Sequence, residues 1–194
     1  MKNRTRRFVV FAAVLATVVA FLAYDIYATS LTTQLSVSLI STLASSSDLT
    51  SGQVKVISTT STGLANGVGA SQADVVWSDT RSLATGANED LDLIGGGLLD
   101  PFGAAFAPVK IKMIVIEASS SNTTNLTLFG DALSVPIVNT AATTMTLQPG
   151  GVFVISAPPA AGIAVGAGAT DIIQIANGAG ATAYYDIMIV GTSS

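Results

Sequence analysis

Residues 110–117, Lys-Ile-Lys-Met-Ile-Val-Ile-Glu, are the stretch that decides the fold. The middle of this stretch is apolar at consecutive positions, as is typical of a short strand that is buried on both faces. We therefore predict a central β-strand here. Three further runs have a similar character and are predicted to be strands: residues 151–156, 171–176 and 184–190.

Other segments alternate between apolar and polar residues. In residues 31–40, the apolar Leu35, Val37 and Leu39 are separated by polar side chains. This period of two predicts strands with one buried and one wet face. Residues 54–60, 74–78 and 144–148 are further strand candidates, whereas the Ser-, Thr-, Gly- and Ala-rich residues 41–52 and 59–72 are predicted to be loops or extended arms.

Turn signals separate the predicted strands, among them Asn66-Gly67, Asp100-Pro101 and Asn177-Gly178. Short strands at a spacing of roughly 8–15 residues, with no long amphipathic helix between them, are typical of antiparallel sandwiches and barrels. We expect a mainly β protein with an antiparallel β-sandwich of about eight to ten strands. A jelly-roll-like arrangement fits this number of strands best. We expect an N-terminal apolar α-helix before the sandwich.

The composition favours assembly. Only 10% of the 194 residues are charged, against about 25% in an ordinary soluble domain. Beyond residue 30, four basic against eleven acidic residues leave a net charge of −7, which is a poor match for nucleic acid. So little charge favours a surface that is covered by copies of the same chain.

The N-terminus differs sharply from the rest. Residues 1–7 hold four of the eight basic residues, and residues 8–24 are uncharged and apolar. Their length overlaps a membrane span and a signal peptide. Residues 1–30 are therefore an uncleaved anchor or assembly helix, a cleaved signal, or a helix buried in an oligomer. We expect an extended strand and loop arm over residues 31–72 and a β-sandwich body over residues 73–194.

The order of several motifs resembles a known family. The run WSDTR…LDL…FG begins at Trp77, and the turn PGG…F begins at Pro149. With their neighbours in residues 31–194, they are similar to small β-sandwich virion structural, head-decoration-like proteins of tailed bacteriophages. The resemblance implies a capsid or decoration role beside other virion proteins. Members of that family begin near the equivalent of Leu31, so the basic and apolar start is a departure.

Candidate sites for chemistry are few. The chain has no His and no Cys, which excludes Ser-His-Asp, Cys-His and His-ligated zinc sites. We expect no enzyme activity, catalytic residue or cofactor. Among Glu89, Asp90, Asp92 and Asp100, the residues Asp90 and Asp92 share a strand face and are weak candidates for Ca²⁺, although a solvated strand face explains them better. Trp77 is expected to be a core or interface anchor.

These observations together predict a structural protein rather than an enzyme. We expect it to assemble with copies of itself, or to decorate a symmetric particle such as a phage-like virion, with no nucleic-acid partner. The alternative is a secreted or membrane-anchored subunit of a cell-surface filament, pilus or layer, held through residues 8–24.

Overall fold

The computed structural model describes residues 30–47, 50–95, 97–132, 134–137, 143–168 and 170–194. The N-terminal helix predicted over residues 8–24 lies outside these residues. The described residues are mainly strand and contain no helix. The strands are β1 (Thr33–Ser47), β2 (Thr50–Asn66), β3 (Gln72–Ala73), β4 (Val75–Leu83), β5 (Asn88–Asp92), β6 (Lys110–Ala118), β7 (Leu126–Phe129), β8 (Thr144–Leu147), β9 (Val152–Ser156), β10 (Ile163–Ala164), β11 (Ile172–Asn177) and β12 (Ala183–Thr192).

The predicted central strand is confirmed as β6. It pairs with β12 on one edge, and with β9 and β10 on the other, while β12 also pairs with β4. These five strands form an antiparallel sheet, which we call the large sheet. Ile114 and Ile116 of β6 are fully buried on its inner face, and Met113 is buried on its outer face. The apolar run in the sequence therefore has the burial on both faces that it predicts.

A second antiparallel sheet, the small sheet, has the strand order β5-β11-β7-β8. Its inner side chains, such as Leu91, Leu128 and Ile175, pack in one cluster with the inner side chains of the large sheet. Trp77 is buried in the same cluster, 6.3 Å from the ring of Phe106, so its predicted role as a core anchor is confirmed. The two layers enclose one core in a β-sandwich-like fold.

Within the segments predicted to be loops or extended arms, residues 41–47, 50–52 and 59–66 are strand instead, and they extend the strands predicted at residues 31–40 and 54–60 into a long hairpin. β1 and β2 pair antiparallel from Thr33 opposite Leu64 to Ser47 opposite Thr50. The short strand β3 extends this pair by a parallel contact with the end of β2. We call the paired β1 and β2 the ribbon. The Ser and Thr content hid the remaining parts of these strands, because β-branched Thr suits a pleated backbone although it weakens the apolar alternation.

Where the ribbon begins, it packs on the outer face of the large sheet. Leu64 and Ala73 are buried there with Met113 and Val190, and Leu35 packs against them. Farther along β1, the expected buried face is absent, since Val37 and Leu39 are exposed. The ribbon therefore leaves the sandwich after its base and has no second layer beyond it among the described residues.

A β-bulge interrupts the pairing of β6 with β12 beside the base of the ribbon. Lys112 is the extra residue of β6, because Val190 lies opposite Met113 and Gly191 lies opposite Ile111. A side chain at Gly191 would come within 2.5 Å of the Lys110 carbonyl oxygen, so this position requires glycine.

The bulge buries the Lys112 ammonium, which donates to the carbonyl oxygens of Pro159 and Ala160. Burial lowers the pKa of Lys112 below its usual value, and the positive charge of Lys110 lowers that pKa further. Because the pKa is lower in the folded chain, the unfolded chain binds more protons between the two pKa values. The free energy of unfolding therefore rises with pH in that window.

Replacing Lys112 with Met should remove this pH dependence. We expect the free energy of unfolding of the natural protein, minus that of Lys112→Met, to increase as the pH approaches about 10.4, the ordinary pKa of Lys. The slope is at most about 1.4 kcal/mol per pH unit. Urea denaturation of both proteins between about pH 7 and pH 10.4 measures the difference. A constant difference across this range would show that the folded chain holds the ammonium without penalty.

Candidate assembly surface

Asp90 and Asp92, the weak calcium candidates, lie on the same face of β5 and both have partners in the fold. Asp90 Oδ1 accepts a hydrogen bond of 2.8 Å from Gln174 Nε2. Asp92 Oδ1 accepts from the backbone N–H groups of Ile94 and Gly95 at 2.9 and 2.7 Å. Asp92 thus stabilises the turn that follows β5.

The other two acids of the predicted cluster point elsewhere. Asp100 Oδ1 accepts from the backbone N–H groups of Phe102 and Ala104 at 2.9 and 2.8 Å and closes a separate loop. Glu89 forms an ion pair with Arg81. Within the described part of the chain, no three acidic side chains converge as a metal site requires.

Glu89 belongs to a charged cluster that joins the two sheets, and the sequence pattern did not reveal it. Besides its ion pair with Glu89, Arg81 contacts Asp79 at 3.0 Å and lies 5.5 Å from the centre of the Trp77 ring. Tyr185 donates its hydroxyl to Glu89 at 2.8 Å. Burial, and then the hydrogen bond with Glu89, raise the pKa of Tyr185 well above its usual range. The phenol therefore stays protonated, and this cluster fastens β5 to β4 and β12.

Among the described residues, one side of the ribbon carries a long row of exposed apolar side chains. Alternation along two paired strands puts directly opposite residues on the same face. One face, which we call the apolar face, carries no charged residue among the positions described. Its members, from base to tip, are Leu35 opposite Thr62, Val37 opposite Thr60, Leu39 opposite Ser58, Ser41 opposite Val56, and Leu43 opposite Val54.

The second face of the ribbon, called the polar face, carries mostly hydroxyls and amides, with Lys55 near the tip and one apolar pair, Ile40 opposite Ile57. Gln34 Nε2 donates to Ser61 Oγ at 3.3 Å, as suits a wet surface. The contrast between the faces makes the ribbon amphipathic.

The side chains of the apolar face are strongly exposed. Leu39 is 66% and Leu43 74% exposed, and Val54 and Val56 are each 61% exposed. Monomeric soluble proteins rarely leave such contiguous apolar surface in water. A two-stranded hairpin is also marginally stable by itself and needs a further layer. The ribbon therefore has the properties of an interface.

The ribbon also exposes strand edges. Within the described residues, β1 pairs with β2 alone, and β2 pairs on its other edge with β3 at Ala65 and Asn66 alone. The backbone N–H and C=O groups along the remaining edges can accept another strand.

A smaller apolar patch lies on the outer face of the large sheet. Val154, Val115 and Met188 are direct neighbours across β9, β6 and β12. Val115 and Met188 border a shallow depression of about 520 Å³ whose walls include Glu117 and Asp186. Asp186 accepts from Thr80 Oγ1 at 2.5 Å. This patch is more polar than the ribbon and much shorter.

Residues 8–24, the candidate membrane or assembly segment, lie outside the described residues. In the part of the chain that is described, no helix has the length and hydropathy to cross a bilayer. Comparison of the chain with family models, curated proteins and solved structures finds no match.

Asp92 and Asp90 should differ in their effect on stability. Asp92→Ala removes the acceptor of two backbone N–H groups and is expected to lower the free energy of unfolding by about 1–2 kcal/mol. Asp90→Ala removes one exposed side-chain contact and should change it by less than about 0.5 kcal/mol. Urea denaturation measures both, with and without Ca²⁺. A Ca²⁺-dependent gain in stability that both substitutions abolish would instead establish a calcium site.

Proposed function

We propose that this protein is a structural subunit that self-assembles or decorates a symmetric particle, and that the particle is a phage-like virion. The observation that carries the proposal is the uncharged apolar face of the ribbon. A surface of this kind is stabilised when another protein surface covers it. The low charge content of the whole chain, 10%, supports a protein whose surface is largely shared with neighbours.

The sandwich itself supports a jelly roll within this proposal. Without the ribbon and the short strands β3 and β10, eight strands remain, in chain order β4, β5, β6, β7, β8, β9, β11 and β12. The first pairs with the last, the second with the seventh, the third with the sixth and the fourth with the fifth. One long antiparallel hairpin wrapped into two sheets produces this pattern. Jelly rolls build viral capsids, although they also occur in lectins and cupins.

The sequence resemblance to virion structural proteins of tailed bacteriophages points the same way. It covers the sandwich and the ribbon, residues 31–194, and implies a capsid or decoration role. The composition supports partners other than nucleic acid, because the residues beyond residue 30 carry a net charge of −7. Other virion proteins and further copies of the chain are the partners that fit.

A second candidate function rests on the N-terminus. Residues 1–7 are basic and residues 8–24 are apolar, an order that directs a chain to a membrane. This order favours a secreted or membrane-anchored subunit of a cell-surface filament, pilus or layer. Both functions use the ribbon as an interface, but they differ in the assembly that is formed.

Electron microscopy of the natively purified assembly separates the two functions. We expect the full chain to form a closed, symmetric particle, or a regular layer on one, since a virion shell must close. Light scattering on the same sample should give a mass many times the 19.5 kDa of one chain. Open filaments or sheets would favour the cell-surface subunit. A chain that stays monomeric at high concentration would contradict both.

Residues 8–24 are expected to remain in the mature protein. Their uncharged stretch is longer than the 7–15 residues usual for the core of a signal peptide, and few small residues follow that suit cleavage. Intact-mass spectrometry of the native assembly should therefore give about 19.5 kDa. A mass lower by about 3 kDa would show that a signal peptide is removed, and would favour the secreted subunit.

A further inference from the structure

We infer that the apolar face of the ribbon packs against the same face of a second copy of this chain. The inference rests on the proposed assembly and names the surface that joins the copies. Three properties of the apolar face favour a second copy as the partner that covers it: its lack of charge, its pattern of large and small side chains, and its length.

The first property is the absence of charge. Lys55 is the charged side chain of the ribbon that the structure describes, and it lies on the polar face. Two apolar faces therefore meet without bringing like charges together. A partner recognised through ion pairs would instead find no charged group on this surface, and buried charges without partners are costly.

The second property is the relief of the apolar face. Leu39 lies opposite Ser58, and Ser41 lies opposite Val56. Each of these cross-strand pairs thus sets a large side chain beside a small one, with the large one on β1 and then on β2. Between Leu39 and Val56 the surface therefore has large side chains beside small ones, and the large side chains of an identical surface can pack over the small ones.

The third property is length. Beyond its base, residues 37–47 of β1 span about 36 Å at roughly 3.3 Å per residue, and two strands are about 10 Å wide. Two ribbons in contact along this length therefore bury on the order of 700 Å², which is a weak contact by itself and becomes sufficient when it is repeated between many copies. The large sheet of the same chain covers only the base of the ribbon, at Leu35 and Leu64, so the rest is free for a copy.

Neighbouring residues on opposite faces provide a matched test in the full chain. Leu39 lies on the apolar face and Ser38 on the polar face, and both residues are exposed. Leu39→Asp should raise the dissociation constant of the assembly at least about tenfold, because a carboxylate would be buried between copies. Ser38→Asp should leave it within about twofold, since its side chain stays in water. The mass of each natively purified assembly is followed by light scattering as the sample is diluted.

The possible results distinguish a failure of the inferred contact from a failure of the proposed assembly function. Loss of assembly with Leu39→Asp alone supports the face-to-face contact. If both variants assemble like the natural chain, or if both fail equally, the apolar face is not the interface, although the assembly function stands. If the natural chain itself never assembles, the proposed function fails and the inference fails with it.

A label on the apolar face separates a second copy from residues 1–29 of the same chain. The chain has no Cys, so Ser58→Cys places one polarity-sensitive fluorophore opposite Leu39, and Thr59→Cys places it on the polar face. A blue shift at position 58 that grows with protein concentration, and is absent at position 59, supports a second copy. A shift that persists unchanged in the dilute monomer shows that the chain covers its own ribbon, and overturns the inference, as does no shift at all.

Discussion

The pairing of β6 with β12 is the interaction on which the rest of the molecule depends. Both strands are paired on both edges, so every other strand of the large sheet is held through one of them. Their inner side chains, Ile114 and Ile189 among them, face the small sheet across the main core. Their outer side chains, Met113 and Val190, support the base of the ribbon. The bulge at Lys112 lies directly beside Met113 and Val190, the residues on which the base of the ribbon packs.

The sandwich and the ribbon satisfy different physical requirements. The two sheets cover each other, and side chains such as Leu93 and Ile173 are fully removed from water. Charged groups enter this core at one edge, where Arg81 pairs with Glu89 and Tyr185 bonds to the same carboxylate. The ribbon has complete strand pairing along its length, yet beyond its base it lacks a covering layer within the described residues. Its two strands therefore pair with each other, while its apolar side chains and its outer edges are not covered by the described residues.

The sequence predicted those strands in which several apolar residues are consecutive. The strands β6, β9, β11 and β12 lie within or beside apolar runs, and they are found where those runs predicted them. β7 has four residues, Leu126–Phe129, too few for a period to be recognised beside the Asn- and Thr-rich residues before it. The cluster of Arg81, Glu89 and Tyr185 was missed for a different reason. Arg81 lies 8 residues and Tyr185 lies 96 residues from Glu89 along the chain. The three residues lie on three different strands, and the residue spacing within one strand cannot predict contacts between strands.

The exposed ribbon connects folding to assembly in the proposed function. Hydrogen bonds between two strands contribute little net stability in water, and a two-stranded ribbon alone is marginal. Burial of Leu39, Leu43 and their neighbours against a copy would supply the free energy that stabilises the ribbon, at about 25 cal/mol for each Å² of apolar surface covered. On this account the sandwich folds within one chain, whereas the outer ribbon gains its stability when copies meet. Under the proposed function, the sandwich of such a subunit would fold before assembly, and the outer ribbon would gain its covering layer only in the particle.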